Sequence, residues 1–324
     1  MHRRRILTSA LAGLALASAA GRARGQLGEQ PIRIVFPFAA GGSGDALARV
    51  LADAMRAELN RPVIVENRTG AAGRIGVQAV KAAAPDGLTL LLTPIAPVAV
   101  YQHVYPALDY DPIADFQPVT QVATFDFGLA VGPQVPAPSL PELVEWLKAN
   151  PAQRSYATPG AGTLPHFFGV LFARAAGLDL QHINYRGSAA ALTDLIGGQV
   201  PVLVTTTTDL LEMHKAGRIR VLATSDQARS PFLPELPTFR EAGYDIEGTG
   251  WYGVFAPART PPEIVERYSK VLVAALRSPQ VKDRLVGFGL IPTGTSVADF
   301  AAIQRADSAR WAPAVKASGF TPQQ

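Results

Sequence analysis

Short apolar runs alternate with amphipathic segments along almost the whole chain, and this alternation constrains the fold more than any other feature. The runs at residues 32–37, 62–66 and 88–93 are mainly apolar, which is typical of strands buried inside a parallel sheet. Between the first two, residues 45–59 place leucine, valine and methionine on one helical face. This order of elements predicts an α/β protein with parallel sheets.

A second series of the same kind begins near Ser139, and two extended segments separate it from the first. These segments, near residues 116–132 and 247–257, show little helical periodicity. They predict that the chain crosses into a second domain and then returns, so that the C-terminal helices pack on the first domain. The predicted division is 26–122 plus 249–324 for domain one and 123–248 for domain two.

Residues 1–25 have the pattern of an export signal. Arg3, Arg4 and Arg5 precede an apolar run that ends near Ala20, and small residues follow. The run is too short for a good membrane-spanning helix, so we expect it to be removed. The adjacent arginines favour the twin-arginine route over the general one. The mature protein is therefore expected to be soluble in the periplasm.

The positive charge of the chain lies in this leader. The formal net charge is +4, but five arginines and no acidic residue precede Gly25, so removal of the leader leaves −1. Such a chain lacks the basic surface that nucleic-acid binding requires. The absence of cysteine excludes disulfides and thiolate zinc sites. The five histidines show no metal-binding spacing, so we expect neither a metal nor a cofactor.

A glycine-rich turn, PFAAGGSGD at residues 37–45, leads from the first strand into the first helix. The first N–H groups of a helix lack intrahelical partners and carry about half a positive charge, so they bind anions without a lysine. The same sequence also fits a tight turn in which Ser43 or Asp45 caps the helix. A second loop of this kind, TPGAGTLPH at residues 158–166, favours anion binding.

Nucleotide binding and nucleophilic catalysis fit these loops less well. Gly42 and Gly44 follow a strand, and Glu66 ends the next strand, as in a dinucleotide-binding fingerprint. Leu47, however, stands where the third glycine is required. Ser43 is not flanked by the glycines of a hydrolase elbow, and there is no cysteine nucleophile.

Several single residues near these loops have two interpretations. His166 either orients the second glycine loop or donates to a ligand. Tyr185 is a candidate wall of a cleft, and Arg186 pairs either with a ligand carboxylate or with a surface acid. Trp251 and Tyr252 lie on the returning strand, where aromatic rings pack at a domain junction more often than they contact a ligand.

Taken together, these motifs resemble the Bug family, the substrate-binding proteins of tripartite tricarboxylate transporters. The likeness spans nearly the whole chain after the leader, in the order that the family shows. The motifs that carry it are PFAAGGSGD (37–45), PVIVENRTGAAGRIG (62–76), APDGLTLLL (84–92), YATPGAGTLPH (156–166), YRGSAAALTDLIGGQV (185–200), AGRIRVLATS (216–225) and WYGVFAPARTP (251–261).

The resemblance implies a type II periplasmic-binding-protein fold, in which two α/β domains joined by two crossing segments close on a small carboxylate in the cleft between them. It implies a monomeric, non-enzymatic receptor without a cofactor, whose partners are that carboxylate and a membrane permease of the tripartite tricarboxylate type. Backbone N–H groups and ordered waters would hold the acid group. By position, the ligand-binding residues are Phe38, Gly41, Gly42, Ser43, Asp45, Thr158, Gly160, Gly162, Thr163, His166, Tyr185 and Gly187. Thr93 and Thr205, which begin the loops that follow the third strand of domain one and a strand of domain two, complete the set of predicted ligand-binding residues.

Two loops depart from the family pattern. The sequence TPIAP at residues 93–97 replaces a Gly–Thr/Ser-rich loop, and its two prolines lack N–H donors. The run Thr205 to Thr208 stands where relatives often have an aspartate. Loss of a carboxylate predicts a ligand without an ammonium group, such as a dicarboxylate, a tricarboxylate or an aromatic acid. The threonines also fit a β-branched strand, with Asp209 capping the next helix.

Two other functions fit the same cleft. A sensor would pass the closed state to a signalling partner instead of a permease. An enzyme would act on a carboxylate with His166 as its base. Turnover separates the enzyme from a receptor, because a receptor returns its ligand unchanged.

Overall fold

The computed structural model describes residues 30–320, and the predicted leader lies outside this part of the chain. The strands are β1 (Ile32–Phe36), β2 (Val63–Asn67), β3 (Thr89–Pro94), β4 (Phe116–Phe125), β5 (Phe127–Val131), β6 (Ser155–Thr158), β7 (Gln181–Asn184), β8 (Val202–Thr206), β9 (Arg220–Thr224), β10 (Gly250–Pro257) and β11 (Ile291–Pro292). The helices are α1 (Ser43–Leu59), α2 (Arg74–Lys81), α3 (Tyr101–Val104), α4 (Leu140–Ala149), α5 (Leu164–Ala175), α6 (Ser188–Ile196), α7 (Thr207–Lys215), α8 (Pro262–Arg277), α9 (Pro279–Gly287) and α10 (Val297–Ser318).

The strands form two sheets, and each sheet with its helices is one unit of the molecule. The first unit has the strand order β11–β4–β10–β3–β1–β2, and the second has β7–β6–β8–β5–β9. Within the first, β1 is parallel to β2 and β3; within the second, β6 is parallel to β7 and β8. The α/β fold that the alternating runs predict is confirmed.

Both sheets are mixed, however, so the parallel pairing that the sequence predicts accounts for only part of each sheet. β10 runs antiparallel to β3 and β4, and β5 runs antiparallel to β8 and β9. The reason is the path of the chain. Because β4 leads out of the first sheet toward the second unit, β10 returns beside it in the opposite direction.

Two chain crossings join the units, as the extended segments predict. β4 ends at Phe125, and β5 begins at Phe127 in the other sheet; the chain returns between β9 and β10. Ser225 ties the crossings together, since its hydroxyl donates to the Gly248 carbonyl at 2.6 Å and accepts the Phe127 N–H at 2.9 Å. The Gly248 N–H donates in turn to the Ser225 carbonyl at 2.8 Å. The residue boundaries given above for the two domains stay a prediction.

The four threonines Thr205 to Thr208 do not form the loop that the sequence predicts. β8 continues through Thr206, and α7 begins at Thr207. β-Branched residues pack well at the buried end of a strand, which favours the longer β8. Asp209 therefore lies in the first turn of α7.

The C-terminal helices pack mainly on the first unit, as expected. α8 lies against β4 and α1, and α10 lies against β4 and a π-helical turn at Ala96–Val100. α10 also contacts the second unit, because the Trp311 ring lies 5.9 Å from that of Phe168 on α5. Between residues 30 and 320, no helix has both the length and the apolar character that crossing a membrane requires.

Candidate functional site

A cavity lies between the two units where four helices begin. The starts of α1, α5, α6 and α7 line it together with a group of aromatic rings. The cavity is open to solvent at its mouth. Its position at the carboxyl ends of strands is where open α/β sheets bind ligands.

None of these four helices is capped by the side chain of its own N-cap residue. Their N-caps are Gly42, Thr163, Gly187 and Thr206. Because the first N–H groups of a helix have no intrahelical partner, four partial positive charges meet at the cavity. Among the described residues, no lysine, arginine or histidine lines it.

Asp45 shapes the glycine loop before α1. Its carboxylate accepts the Gly41 N–H at 3.2 Å, the Asn67 amide at 3.0 Å and two guanidinium N–H groups of Arg49 at 3.0 and 3.1 Å. Asn67 also donates to the Phe38 carbonyl at 3.1 Å. Burial raises the pKa of Asp45, but these hydrogen bonds outweigh burial and lower it below its usual value. Asp45 is therefore charged and fully engaged within its own unit.

A different aspartate, from the second unit, accepts a hydrogen bond from the start of α1. Asp209 receives the Ser43 N–H across the cavity at 2.8 Å. The Thr208 hydroxyl also joins the two units, because it donates to the Ser43 hydroxyl at 2.9 Å. Since Gly42 offers no side chain as a cap, the Asp209 carboxylate occupies the anion position at this helix start.

The prediction that this region lacks a carboxylate is therefore wrong. It depended on a loop after β8, whereas α7 already begins at Thr207. Helical side chains point back toward the N-terminus of their helix, which directs Asp209 into the cavity. The prediction that Asp209 caps its own helix is also wrong, because α7 has no side-chain cap. The sequence signal for this role of Asp209 was an acidic residue near the start of a helix. It is recognisable only when the start of α7 is placed at Thr207.

The second glycine loop is braced by its own residues. The Thr163 hydroxyl donates to the Gly160 carbonyl at 2.6 Å, and His166 Nδ1 accepts the Gly162 N–H at 3.0 Å. A Cβ placed on Gly160 would lie 3.5 Å from the Cβ of Ala72 in the first unit. The two hydrogen bonds fix the shape of the loop, and Gly160 lies close to the opposite side of the cleft.

His166 belongs to a buried histidine pair. Its ring stacks on that of His182 with centroids 3.9 Å apart, and His182 Nε2 lies 2.6 Å from the Thr158 hydroxyl. Burial, with a contribution from His182, lowers the pKa of His166 to about 3, and burial lowers that of His182 to about 4. His166 therefore orients the glycine loop as a neutral ring. Its contact with a ligand stays a prediction.

The structure brings five of the predicted site residues together at the cavity. Gly187 has a φ of +131°, and a Cβ there would lie 3.3 Å from the Cβ of Ala39 in the first unit. Only glycine allows this backbone conformation together with so close an approach. The five residues are Phe38, Gly42, Ser43, Thr163 and Gly187.

The other predicted residues lie beside the cavity. Tyr185 lines a neighbouring groove and donates to Asp194 at 2.6 Å; burial and this carboxylate raise the pKa of Tyr185 to about 12. Gly41 lines a second neighbouring groove. The remaining predicted residues form the loops or lie behind them, and they are Asp45, Thr93, Thr158, Gly160, Gly162, His166 and Thr205.

Sequence reasoning missed an aromatic wall along the cavity. The wall consists of Phe38, Phe36, Tyr252, Phe125 and Phe127, and successive ring centroids lie 5.8, 6.5, 4.7 and 5.4 Å apart. The expectation that Tyr252 packs at the junction is correct, but Tyr252 also lines the cavity. The rings come from the ends of four strands, so their proximity depends on strand order, which the sequence does not display.

The cavity combines backbone donors with an apolar wall. Its ionisable side chains, within the described part of the chain, are Asp209 and Tyr252. Burial, with the Asp209 carboxylate, raises the pKa of Tyr252 above its usual value, so its hydroxyl stays protonated. Such an arrangement can bind an acid group at helix starts and an apolar body against the rings.

Comparisons with known proteins identify the family. Residues 47–320 match the model of the tripartite tricarboxylate transporter family receptor. Protein BugT of Bordetella pertussis is 34% identical over 292 residues, which cover 90% of each chain. The periplasmic binding protein BugD has a TM-score of 0.86 at 33% identity, covering 90% of this chain and 99% of its own. An R. palustris protein with adipate has a TM-score of 0.87 at 31% identity, covering 90% and 98%. The chain therefore belongs to the Bug-type receptors of the tripartite tricarboxylate transporter family, with their two-domain periplasmic-binding-protein fold.

Proposed function

We propose that this protein is a periplasmic receptor that captures a small organic carboxylate in the cavity and delivers it unchanged to a tripartite tricarboxylate permease. The observation that carries the proposal is the meeting of four helix starts, none capped by its own N-cap side chain, at a cavity without a cationic side chain among its described lining residues. A proton-transfer base and a nucleophile are not needed for this role. Residues 1–25 would direct export.

Helix N-termini supply enough free energy to bind a carboxylate. A single start contributes about 0.3 to 1 kcal/mol to anion binding, and about 2 kcal/mol when it is partly buried. Several starts that converge on one desolvated acid group therefore support useful affinity without a lysine or arginine. The adipate in the R. palustris relative supports a carboxylate as the ligand class.

Binding would also close the cleft. α1 belongs to the first unit, whereas α5 and α6 belong to the second, so one ligand contacts both sides only when the units meet. A ligand shifts the equilibrium toward the closed state by its difference in affinity for the two states. The crossings tied by Ser225 are the natural hinge.

The residue test compares two neighbours on the same loop. Gly187→Val places a branched side chain against Ala39 across the cleft and strains a φ of +131°. We expect roughly tenfold or greater loss of carboxylate affinity in calorimetry. Arg186→Ala removes an exposed cation from the neighbouring groove, and we expect a change below about threefold. Equal affinities in the two variants would contradict the proposed site.

The ligand is best found by native mass spectrometry of the purified protein, followed by release of any trapped acid. Recovery of the same acid after prolonged incubation supports a receptor, whereas a converted product would establish an enzyme. Delivery is tested by uptake of that acid into vesicles that contain the permease. Uptake that does not depend on this protein would remove the transport role and leave the sensor.

A further inference from the structure

One of the four helix starts in the cavity is already neutralised by the protein itself. The Asp209 carboxylate takes the Ser43 N–H at 2.8 Å, at the first residue of α1. Its second oxygen lies 3.5 Å from the Thr205 hydroxyl, which is 2.9 Å from that of Ser188. The carboxylate is therefore held in place from both sides of the cleft, and it adds a negative charge to the cavity.

The anion position that remains lies on the second unit. There, α5 and α6 begin at Leu164 and Ser188, and their N-cap residues Thr163 and Gly187 line the cavity without a side-chain cap. A first ligand carboxylate fits this position. A second one would share the cavity with the charge of Asp209, and no cationic side chain in the described lining would compensate it.

The rest of the cavity surface suits an apolar body. The aromatic wall runs past α1 from Phe38 to Phe127, and its rings already contact one another in tilted and edge-to-face geometry. A ligand ring can continue such packing at the usual separations of aromatic pairs. A hydroxylated or multiply charged acid would lose hydration against this wall without gaining hydrogen bonds.

We infer that the ligand is a monocarboxylate with an aromatic ring, and that Asp209 is the residue that excludes dicarboxylates. This inference rests on the proposed function and narrows its ligand class. It also explains why the Asp209 carboxylate occupies the start of α1, a position that would otherwise be free to bind a ligand carboxylate. An amino acid is disfavoured because its ammonium group would compete with the Ser43 N–H and the Thr205 hydroxyl for the Asp209 oxygens.

Four matched probes test the inference by calorimetry on the full mature protein. The reference probe is 3-phenylpropionate. Phenylalanine differs from it by an ammonium group, hexanoate lacks the ring, and adipate is hexanoate with a second carboxylate. We expect 3-phenylpropionate to bind about tenfold or more tightly than each of the other three. Weaker or equal binding of 3-phenylpropionate relative to any of them overturns the inference.

The charge of Asp209 is tested separately. Asp209→Asn keeps an oxygen that accepts the Ser43 N–H but removes the charge, so we expect adipate to bind about tenfold more tightly and 3-phenylpropionate to change by less than about threefold. Glu212→Gln is the control, since it removes the same charge from the next turn of α7, which lines only the neighbouring groove. We expect it to alter neither affinity. An unchanged adipate affinity in Asp209→Asn overturns the role of Asp209.

The outcomes separate this inference from the proposed function. Preference for adipate or phenylalanine by the unmodified protein overturns the aromatic monocarboxylate but leaves a carboxylate receptor. Binding of none of the four probes by any variant, together with a trapped ligand that lacks an acid group, overturns both.

Discussion

Asp45 and Asp209 occupy equivalent positions in their helices but bond to different parts of the molecule. Each lies two residues after the start of its helix. Asp45 turns back to its own loop and binds Gly41, Arg49 and Asn67, whereas Asp209 reaches the opposite unit. The difference depends on what faces each helix start: Asp45 lies beneath its own glycine loop, and Asp209 lies at the cavity.

The buried histidine pair predicts a dependence of stability on pH. His166 and His182 have pKa values of about 3 and about 4 in the fold, against 6.5 as the reference value. Their contribution is complete above pH 6.5 and is lost as the pH falls, because the unfolded chain takes up the protons first. Between pH 6.5 and the pKa in the fold, we expect the free energy of unfolding to fall by up to about 1.4 kcal/mol per pH unit for each histidine.

Urea unfolding at about pH 7.5, 6 and 5 measures this slope. The double variant His166→Gln/His182→Gln should lose most of it, although it is less stable at neutral pH. The exposed His103→Gln variant is the control and should keep the slope of the unmodified protein. A double variant with an undiminished slope would show that other groups cause the acid sensitivity.

At the scale of elements, the proposed hinge contains one hydroxyl that bonds to both chain crossings. Ser225→Ala leaves the Phe127 N–H and the Gly248 carbonyl without this partner at a buried position. We expect a loss of about 1 to 3 kcal/mol in the free energy of unfolding, measured by urea denaturation. The adjacent Thr224 is the matched control, because its buried hydroxyl has no hydrogen-bond partner among residues 30–320. Thr224→Val should be neutral or stabilising; a comparable loss there would contradict the assignment to Ser225.

The elements themselves were largely predictable, because their signals are local. Strands such as β3 and β6 and helices such as α4 and α5 follow from apolar periodicity and turn residues close to their observed limits. The start of α7 was not predictable, because threonine is found at strand ends, in loops and at helix starts alike. That single error concealed the carboxylate of Asp209.

The candidate site was predictable only in part, for a related reason. A glycine loop before a helix is visible in one stretch of sequence, so Gly42 and Gly187 were found. The aromatic wall is assembled from distant strands, and Phe36 and Phe125 become neighbours only through strand order. His166 was named for its chemistry, whereas its surroundings give it a structural task.

At the scale of the whole molecule, the proposed function requires the two units to separate and meet. The chain has no cysteine, so one engineered disulfide can test this motion without competing thiols. Ala72 and Gly160 lie on opposite sides of the cleft, and a Cβ added at Gly160 would lie 3.5 Å from that of Ala72, which is within the range of disulfides. The Thr163 methyl group, 2.9 Å from the added Cβ, must move slightly.

We expect the oxidised Ala72→Cys/Gly160→Cys variant to exchange ligand about tenfold or more slowly than its reduced form, because the closed cleft traps what it holds. Stopped-flow measurement before and after reduction gives both rates from one preparation. The two single-cysteine variants should be insensitive to the reductant. Equal exchange in the oxidised and reduced double variant would show that ligands enter without separation of the units.

The helix starts that meet in the cavity also bear on how such receptors diverge. Their N–H groups belong to the main chain, and every amino acid except proline supplies one. In the proposed site, substitution of a wall ring or of Asp209 would therefore change which acid is preferred and leave the main-chain donors for the carboxylate in place. A receptor of this design would acquire a new ligand by a single substitution without losing its ability to bind acids.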